Sequence, residues 1–526
     1  MQKNIVEINI TIQTWNKKYK MCLKKGIRLN MENEIIEKNK EYIVDIIDNG
    51  YEGEGIAKIN DFTVFVPTAI KGEKCKILIV KVHTTYAYGK ILEIIERSEK
   101  RVEPDCSTYK RCGGCNLRHI EYQYTLKMKQ QTVQNLISKS TKTPIRVNET
   151  IGMVQPYYYR NKLQYPVGLD KNKEIVMGVF AKRTHEIIPV SKCMIQNEKA
   201  EEIAKYIFEL VKQYNIPPYN EENQTGKIRH IVIKIGIRTN EVMCVVVTNE
   251  KKIEREDELV NNIINKFPEV KTVIKNINNK NTNVILGKEN IILYGSGYIF
   301  DKLGNYKFKI SPQSFYQINP SQTEILYNTA INSIIKDKEN LKDKVALDLY
   351  CGIGTIGIFV AKYFKKIYGI EIVEQAIEDA KENAKINQIE NIKFYSGDVE
   401  KILPELINTE KIKPDVVFVD PPRKGLDNKT IEILNKTKPE QIIYISCNPA
   451  TMVRDLQKLE NDYIINPNNG LINSKTEPNG CVISYTYDEY ENITSISKNN
   501  KTVNYEYNDY LELSKIKSGN KEYNFT

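Results

Sequence analysis

Three groups of residues in this 526-residue chain could do chemistry. The first is Cys447 in "YISCNPATMVRDL", where a buried apolar run gives way to a polar turn. A lone free cysteine is more often a small buried hydrophobe than a reagent. At the mouth of a site, though, a thiol is a nucleophile for covalent catalysis. The second group is a set of acids around a glycine loop. "LDLYCGIGTIGIFVA" carries Gly352, Gly354 and Gly357 between a strand pattern and a helix pattern. Such glycines let a ligand approach the backbone, and the helix N-terminus offers free N–H groups. Asp348 precedes the loop, Glu371 ends the next strand in "YGIEI", and Asp398 follows in "YSGDVEKILP". An acid at the position of Glu371 can bind a ribose diol. Acids closing three successive strands around one glycine loop point to an adenosine-type ligand such as S-adenosylmethionine. Asp420 in "VFVDPPRKGL" closes a fourth strand, and the two prolines after it make a stiff turn without N–H donors.

The third group is "CSTYKRCGGC", which places Cys106, Cys112 and Cys115 in a C-x5-C-x2-C spacing with two glycines for a tight wrap. Cys193 in "IIPVSKCMIQ" is the best candidate for a fourth thiolate. Four thiolates fit a [4Fe–4S] cluster or a structural zinc, and the spacing leaves both open. The bland alternative is a chance grouping of cytosolic thiols. Cys22, Cys75, Cys244, Cys351 and Cys481 have no such company and read as structural or incidental.

These groups need elements to position them. From Tyr327 to about Leu459 the pattern alternates strand and helix, with "VALDLY", "KIYGIEI", "IKFYSGD", "DVVFVDPP" and "QIIYISC" as buried strands. That predicts a Rossmann-like α/β domain, a parallel sheet wound on both faces. From about Lys40 to Glu96, apolar alternation punctuated by Gly50, Gly53, Gly55 and Gly72 predicts a small β-barrel. A helix is expected near 121–140, within an α+β central region. At the end, "YTYDEYENITSI" (485–496) recurs as "YEYNDYLELSKI" (505–516), and "YNFT" begins a third copy at Tyr523. A tyrosine-rich repeat of about twenty residues belongs to a stacked β array, and this one resembles the YD repeats of large secreted β-wrap proteins. The expected divisions are 1–37 (polar extension), 38–97 (barrel), 98–300 (central domain), 301–465 (α/β domain) and 466–526 (repeat tail).

The formal charge of +10 permits a nucleic-acid partner without showing one. No apolar run reaches the roughly 18–20 residues of a spanning helix, so no membrane partner is expected, and no protein partner is evident. The N-terminus has neither an apolar core nor a small-residue cleavage site. Ten cysteines over this length make no disulfide framework, so a cytoplasmic setting is expected.

Taken together, "SPQSFYQIN", "DLYCGIGTIG", "FVDPPRKGL" and "ISCNPATMVRDL" resemble the RNA (uracil-5-)-methyltransferase family. The cysteine cluster and the barrel segment "YEGEGIAKINDFTVFVPTAI", similar to a TRAM domain, match its ribosomal-RNA branch from about 38 to 460. The resemblance implies S-adenosylmethionine-dependent methylation of uridine C5 in 23S rRNA, with Cys447 adding to C6. Uracil C5 is too weak a nucleophile to take a sulfonium methyl directly, and thiolate addition makes it an enolate carbon. Single-stranded or unfolded RNA is the implied partner, because the uridine must be flipped out for attack. Gln317, Tyr350, Glu371 and Asp420 are implied to line the cofactor pocket, with Asp398 and Thr355 expected there too. Cys106, Cys112, Cys115 and Cys193 are implied to hold a [4Fe–4S] cluster. The barrel and central domain would grip RNA through basic residues such as Arg160 and Lys162 in "YRNKLQYP".

The pattern breaks near the end. The family continues past its cysteine segment into another strand and a His-Val-Glu stretch, whose glutamate removes the C5 proton. Here the histidines are His83, His119, His185 and His230, and the tyrosine repeat takes over around 461–480. Glu477, Glu489 and Glu491 lie beyond the break, and no spacing places any of them at C5. The α/β sheet is therefore expected to lack its last strands, and turnover to stall after methyl transfer. Two other functions fit parts of the pattern: an amino-group nucleic-acid methyltransferase, suggested by Asp-Pro-Pro, and a catalytically inactive RNA-binding protein.

Overall fold

Period-two alternation at the N-terminal end closes into a barrel. The strands are β1 (Glu41–Asn49), β2 (Gly55–Ile59), β3 (Phe62–Val66), β4 (Lys74–Val82) and β5 (Tyr86–Glu96), joined in the order β1-β2-β3-β5-β4. Val44, Ile46, Ala57, Val64, Val66, Ile77 and Ile79 point inward and fill it. The computed structural model describes residues 27–28, 36–140, 145–182, 184–221, 223–334 and 339–459, and in the tail 462–465, 472–476, 482–488, 490, 492–498, 501–508, 513–519 and 521–525. Cys22, Cys481, Glu477, Glu489 and Glu491 lie outside the described residues. Ile36, assigned to a polar extension, is instead buried in the barrel core, and Ile36–Glu37 pairs with Ile27–Arg28.

After α1 (Tyr122–Ser140) comes a mixed seven-stranded sheet. Its strands are β6 (Lys162–Leu169), β7 (Ile175–Phe180), β8 (Ile187–Pro189), β9 (Ile228–Ile235), β10 (Val242–Thr248), β11 (Val270–Ile277) and β12 (Glu289–Gly295), in the order β8-β7-β6-β9-β10-β11-β12. Every residue of β9 and β10 is buried, so the sheet is covered on both faces. Ile231, Ile233, Cys244 and Val246 pack toward α2 (Glu198–Gln213) and α3 (Glu256–Lys266). Val232, Met243, Val245 and Val247 share a core with Phe308, Tyr327, Ile356 and Phe418 of the α/β part. The central sheet and the α/β domain are thus sealed by one common apolar core.

A hairpin, β13 (Ile299–Leu303) and β14 (Tyr306–Ile310), leads through a loop to α4 (Pro320–Ile334). The α/β sheet then alternates β15 (Val345–Leu349), α5 (Thr355–Val360), β16 (Lys366–Glu371), α6 (Glu374–Ile386), β17 (Ile392–Ser396), α7 (Val399–Asn408), β18 (Val416–Val419), α8 (Asn428–Thr437), β19 (Gln441–Tyr444) and α9 (Pro449–Leu459). All pairings are parallel, in the order β17-β16-β15-β18-β19. The order reverses between β15 and β18, and a doubly wound sheet opens its ligand crevice at the strand C-termini there.

Among the described residues this sheet ends at β19. The next strand, Asp462–Ile465, pairs instead with Ile472–Thr476. It opens an antiparallel meander of seven strands that runs to Lys521–Asn524. The tail sheet therefore starts before the expected boundary at 466, and β13 starts before the one at 301. No helix among the described residues is long and apolar enough to cross a membrane.

Candidate active site

β15 hands the chain to the glycine loop through left-handed backbone: Tyr350 has φ 65°, Gly352 φ 54° and Gly354 φ 79°. Positive φ at a bulky residue such as Tyr350 is strained and marks a site held by its surroundings. A Cβ on Gly352 would meet nothing within 4 Å, so its backbone is open to a ligand. A Cβ on Gly354 would strike the Phe394 ring at 2.7 Å, so that glycine lets α5 seat tightly. Asp348 is fully buried, and its Oδ2 accepts from Gly357 N–H at 2.8 Å. Its Oδ1 has no hydrogen-bond partner. Burial, with Asp420 and Glu371 nearby, pushes its carboxyl up to about 7.

Glu371 ties two turns together, accepting from Gly352 N–H at 3.2 Å and Val373 N–H at 2.9 Å. Asp420 follows β18, and burial raises its carboxyl to about 6. Gln317 Nε2 donates to Asp420 Oδ2 at 3.4 Å. Burial also lifts the Tyr350 phenol well above its usual range. Gln317, Tyr350, Glu371 and Asp420 thus collect at the strand C-termini. Thr355 and Asp398 are engaged differently. The Thr355 hydroxyl pairs with Tyr327 OH at 3.0 Å, and Asp398 caps α7 by accepting from Glu400 N–H at 3.1 Å.

Cys447 lies just past β19, on the same edge of the sheet, and is exposed. The turn that carries it is fastened to the turn after Asp420, since Asn448 Nδ2 and Thr451 Oγ1 both donate to Arg423 O, at 3.3 and 3.2 Å. Pro449 then opens α9, where its missing N–H costs nothing. Tyr51, in the barrel loop between β1 and β2, donates its hydroxyl to Cys447 O at 3.2 Å. Cys75, Cys244 and Cys351 are buried, as expected of structural thiols.

With a cysteine and an acid on neighbouring strand ends beside a glycine loop, comparison with known proteins is decisive. Residues 121–469 match the family model for tRNA (uracil-5-)-methyltransferase, and residues 37–92 match the TRAM domain. The chain belongs to this family. That makes it an S-adenosylmethionine-dependent RNA (uracil-5-)-methyltransferase with an N-terminal TRAM barrel. An uncharacterized RNA methyltransferase of Clostridium tetani is 46% identical over 81% of this chain and 91% of its own length. One from Clostridium acetobutylicum is also 46% identical, over 80% and 91%. Among solved structures, the Pyrococcus abyssi tRNA (uracil-54, C5)-methyltransferase in complex with S-adenosyl-L-homocysteine superposes with a TM-score of 0.62. It is 24% identical and covers 80% of this chain and 94% of that one, a likeness of fold.

In this family member the four predicted cysteines do come together. Cys106, Cys112, Cys115 and Cys193 all line one cavity of about 180 Å³. Gly114 N–H donates to Cys112 Sγ at 3.3 Å, and burial raises the Cys193 thiol above its usual value although the Ile195 and Gln196 N–H groups partly offset it. Burial pushes Cys115 up to about 11, and the other three sulfurs add to the rise. Among the described residues, no group of three or more His, Cys, Asp or Glu could hold a metal ion.

Of the two basic residues expected to grip RNA, Arg160 lines a cavity of about 820 Å³ together with Arg118, Lys129, Tyr157 and Tyr159. Lys162 does not. It is half-buried beside Lys234 in a small internal cavity, where burial lowers its ammonium pKa. Sequence reasoning missed Tyr51, whose partner is 396 residues away, and Phe315, which is 62% exposed two residues from Gln317. Phe315 sits within the quoted "SPQSFYQIN", so its motif was visible although its exposure was not.

Proposed function

We propose that this chain methylates C5 of a uridine in 23S rRNA through a covalent bond between Cys447 and C6. The observation that carries this reading is the exposed thiol of Cys447 on a turn fastened to the turn after Asp420. Bound S-adenosylmethionine supplies an electrophilic methyl. The residues present suit that ligand: open backbone at Gly352, an unpartnered buried oxygen on Asp348, and Glu371, Asp420 and Gln317 around them. Asp420 is ionised above about pH 6 and so offers negative charge to a cationic donor. Cys447 forms the bond to C6, leaving C5 with enolate character. Arg118, Arg160 and Tyr157 give the large cavity cations and rings suited to phosphates and unstacked bases.

Cys106, Cys112, Cys115 and Cys193, which line one cavity, would hold a [4Fe–4S] cluster, as the family resemblance implies. The action would be cytoplasmic. Protein purified without oxygen is expected to carry about four iron and four sulfide per chain. Zinc in their place would remove the cluster from this account.

A second reading, tRNA as substrate, is favoured by the family description and by the Pyrococcus abyssi protein. Incubation with methyl-labelled S-adenosylmethionine and either unfolded 23S rRNA fragments or tRNA decides between them. Label at uridine C5 is expected in the ribosomal fragments, counted with any RNA bound covalently to protein. Label in tRNA alone would shift the substrate, and label on exocyclic amines would shift the chemistry.

A further inference from the structure

The loop that presents Gln317 has no regular structure of its own, yet it is anchored from two sides. Lys234, on β9, is 6% exposed, and its Nζ donates to Ser311 O at 2.8 Å and Ser314 O at 3.0 Å. On the opposite side Asp379 of α6 accepts from the Ser311 hydroxyl at 3.0 Å and the Ser314 hydroxyl at 2.5 Å. Asn161, just before β6, donates from Nδ2 to Gln317 O at 2.9 Å and from its N–H to Ile318 O at 3.1 Å. Lys234, Asp379, Asn161, Ser311 and Ser314 are all buried.

A lysine inside the otherwise apolar "IVIKI" runs against the local pattern. Burial makes its ammonium costly, lowering its pKa to about 7. That cost is offset only if two loop carbonyls, which would otherwise be buried without partners, gain their donor. At 3.4 Å, the Gln317–Asp420 hydrogen bond is a long one and sensitive to where the loop sits.

We propose that Lys234 is a positioning residue for methyl-donor binding, clamping the 311–318 loop to the central sheet so that Gln317 stays opposite Asp420. This rests on the cofactor pocket assigned above. It couples the central sheet with the cofactor site through a few hydrogen bonds.

The test is a double-mutant cycle on the full chain, read by calorimetric titration with S-adenosylhomocysteine and by thermal melting. Lys234→Met keeps the length and removes the donors, and is expected to weaken binding about tenfold with a cooperative melt retained. In a Gln317→Ala background the same change should cost nothing further, because both act through one contact. Lys234→Arg, which keeps donors at that place, should recover part of the affinity. If Lys234→Met does not fold, Asn161→Ala replaces it in the cycle, removing only the partner of the Gln317 carbonyl. Additive losses, or unchanged affinity in the single variant, would overturn the clamp. No binding by the unmodified chain would overturn the pocket assignment as well.

Discussion

Replacing Cys447 with alanine is expected to lower methyl transfer to uridine by about 10,000-fold or more, the scale on which removal of a covalent nucleophile registers. The loss should fall on chemistry rather than folding. Cys447 is exposed, so truncation leaves no internal cavity. From the barrel, Tyr51 OH bonds its backbone carbonyl, which alanine keeps. Cys351 in the glycine loop cannot stand in, because it is buried with its pKa raised far above the usual value. Single-turnover transfer of labelled methyl, with RNA affinity and melting temperature measured alongside, separates the two effects. Full activity in the alanine variant would remove covalent catalysis and favour direct methylation of an exocyclic amine. Retained RNA binding with no transfer even in the unmodified chain would favour the inactive RNA-binding protein.

What the sequence made legible follows from the range of each signal. Five strands alternating with amphipathic stretches could be read locally, and so could the barrel, because period 2 and period 3.6 need no distant partner; the edge strands β17 and β19, expected to be buried, are mostly half-buried or exposed because each has a neighbour on one side alone. Strand ends then placed Glu371, Asp420 and Cys447 on one edge by topology alone. Partnerships across the chain were not legible. β10 reads as an apolar run, which says that both faces are covered but not that Phe308 and Tyr327 cover one of them. Nothing local to Lys234 indicates that its partners are the carbonyls of Ser311 and Ser314. Asp398 carried two local meanings, strand-end acid and helix cap. An Asp directly before "VEKILPEL" is also an N-cap signature, and the observed hydrogen bond to Glu400 N–H realises that cap. The boundary at 466 failed for a different reason: four residues, 462–465, fit an extra strand of either sheet, and only pairing decides.

The 526-residue chain is further expected to stop with RNA attached. Once C5 has taken a methyl, it holds both that methyl and its original hydrogen. The bond from Cys447 Sγ to C6 can break only as that hydrogen leaves as a proton, its electrons reforming the ring double bond. In the family the proton goes to a glutamate in a His-Val-Glu stretch beyond the cysteine, on chain that continues past the fifth strand. Here the described chain past α9 pairs into an antiparallel meander of its own, and the parallel sheet ends at β19. Where no base is held at C5, proton removal falls to water, and a positioned general base typically contributes 10²–10⁴-fold. Methyl transfer should therefore reach about one equivalent per chain and then slow by roughly that factor. With labelled RNA and labelled methyl donor, a denaturing gel should show one species of protein plus RNA carrying both labels, absent in Cys447→Ala. Multiple rounds of released RNA containing 5-methyluridine would mean that a carboxylate of the tail, or another base, reaches C5 after all. The acid responsible would then be found by substituting Glu477, Glu489 and Glu491 in turn.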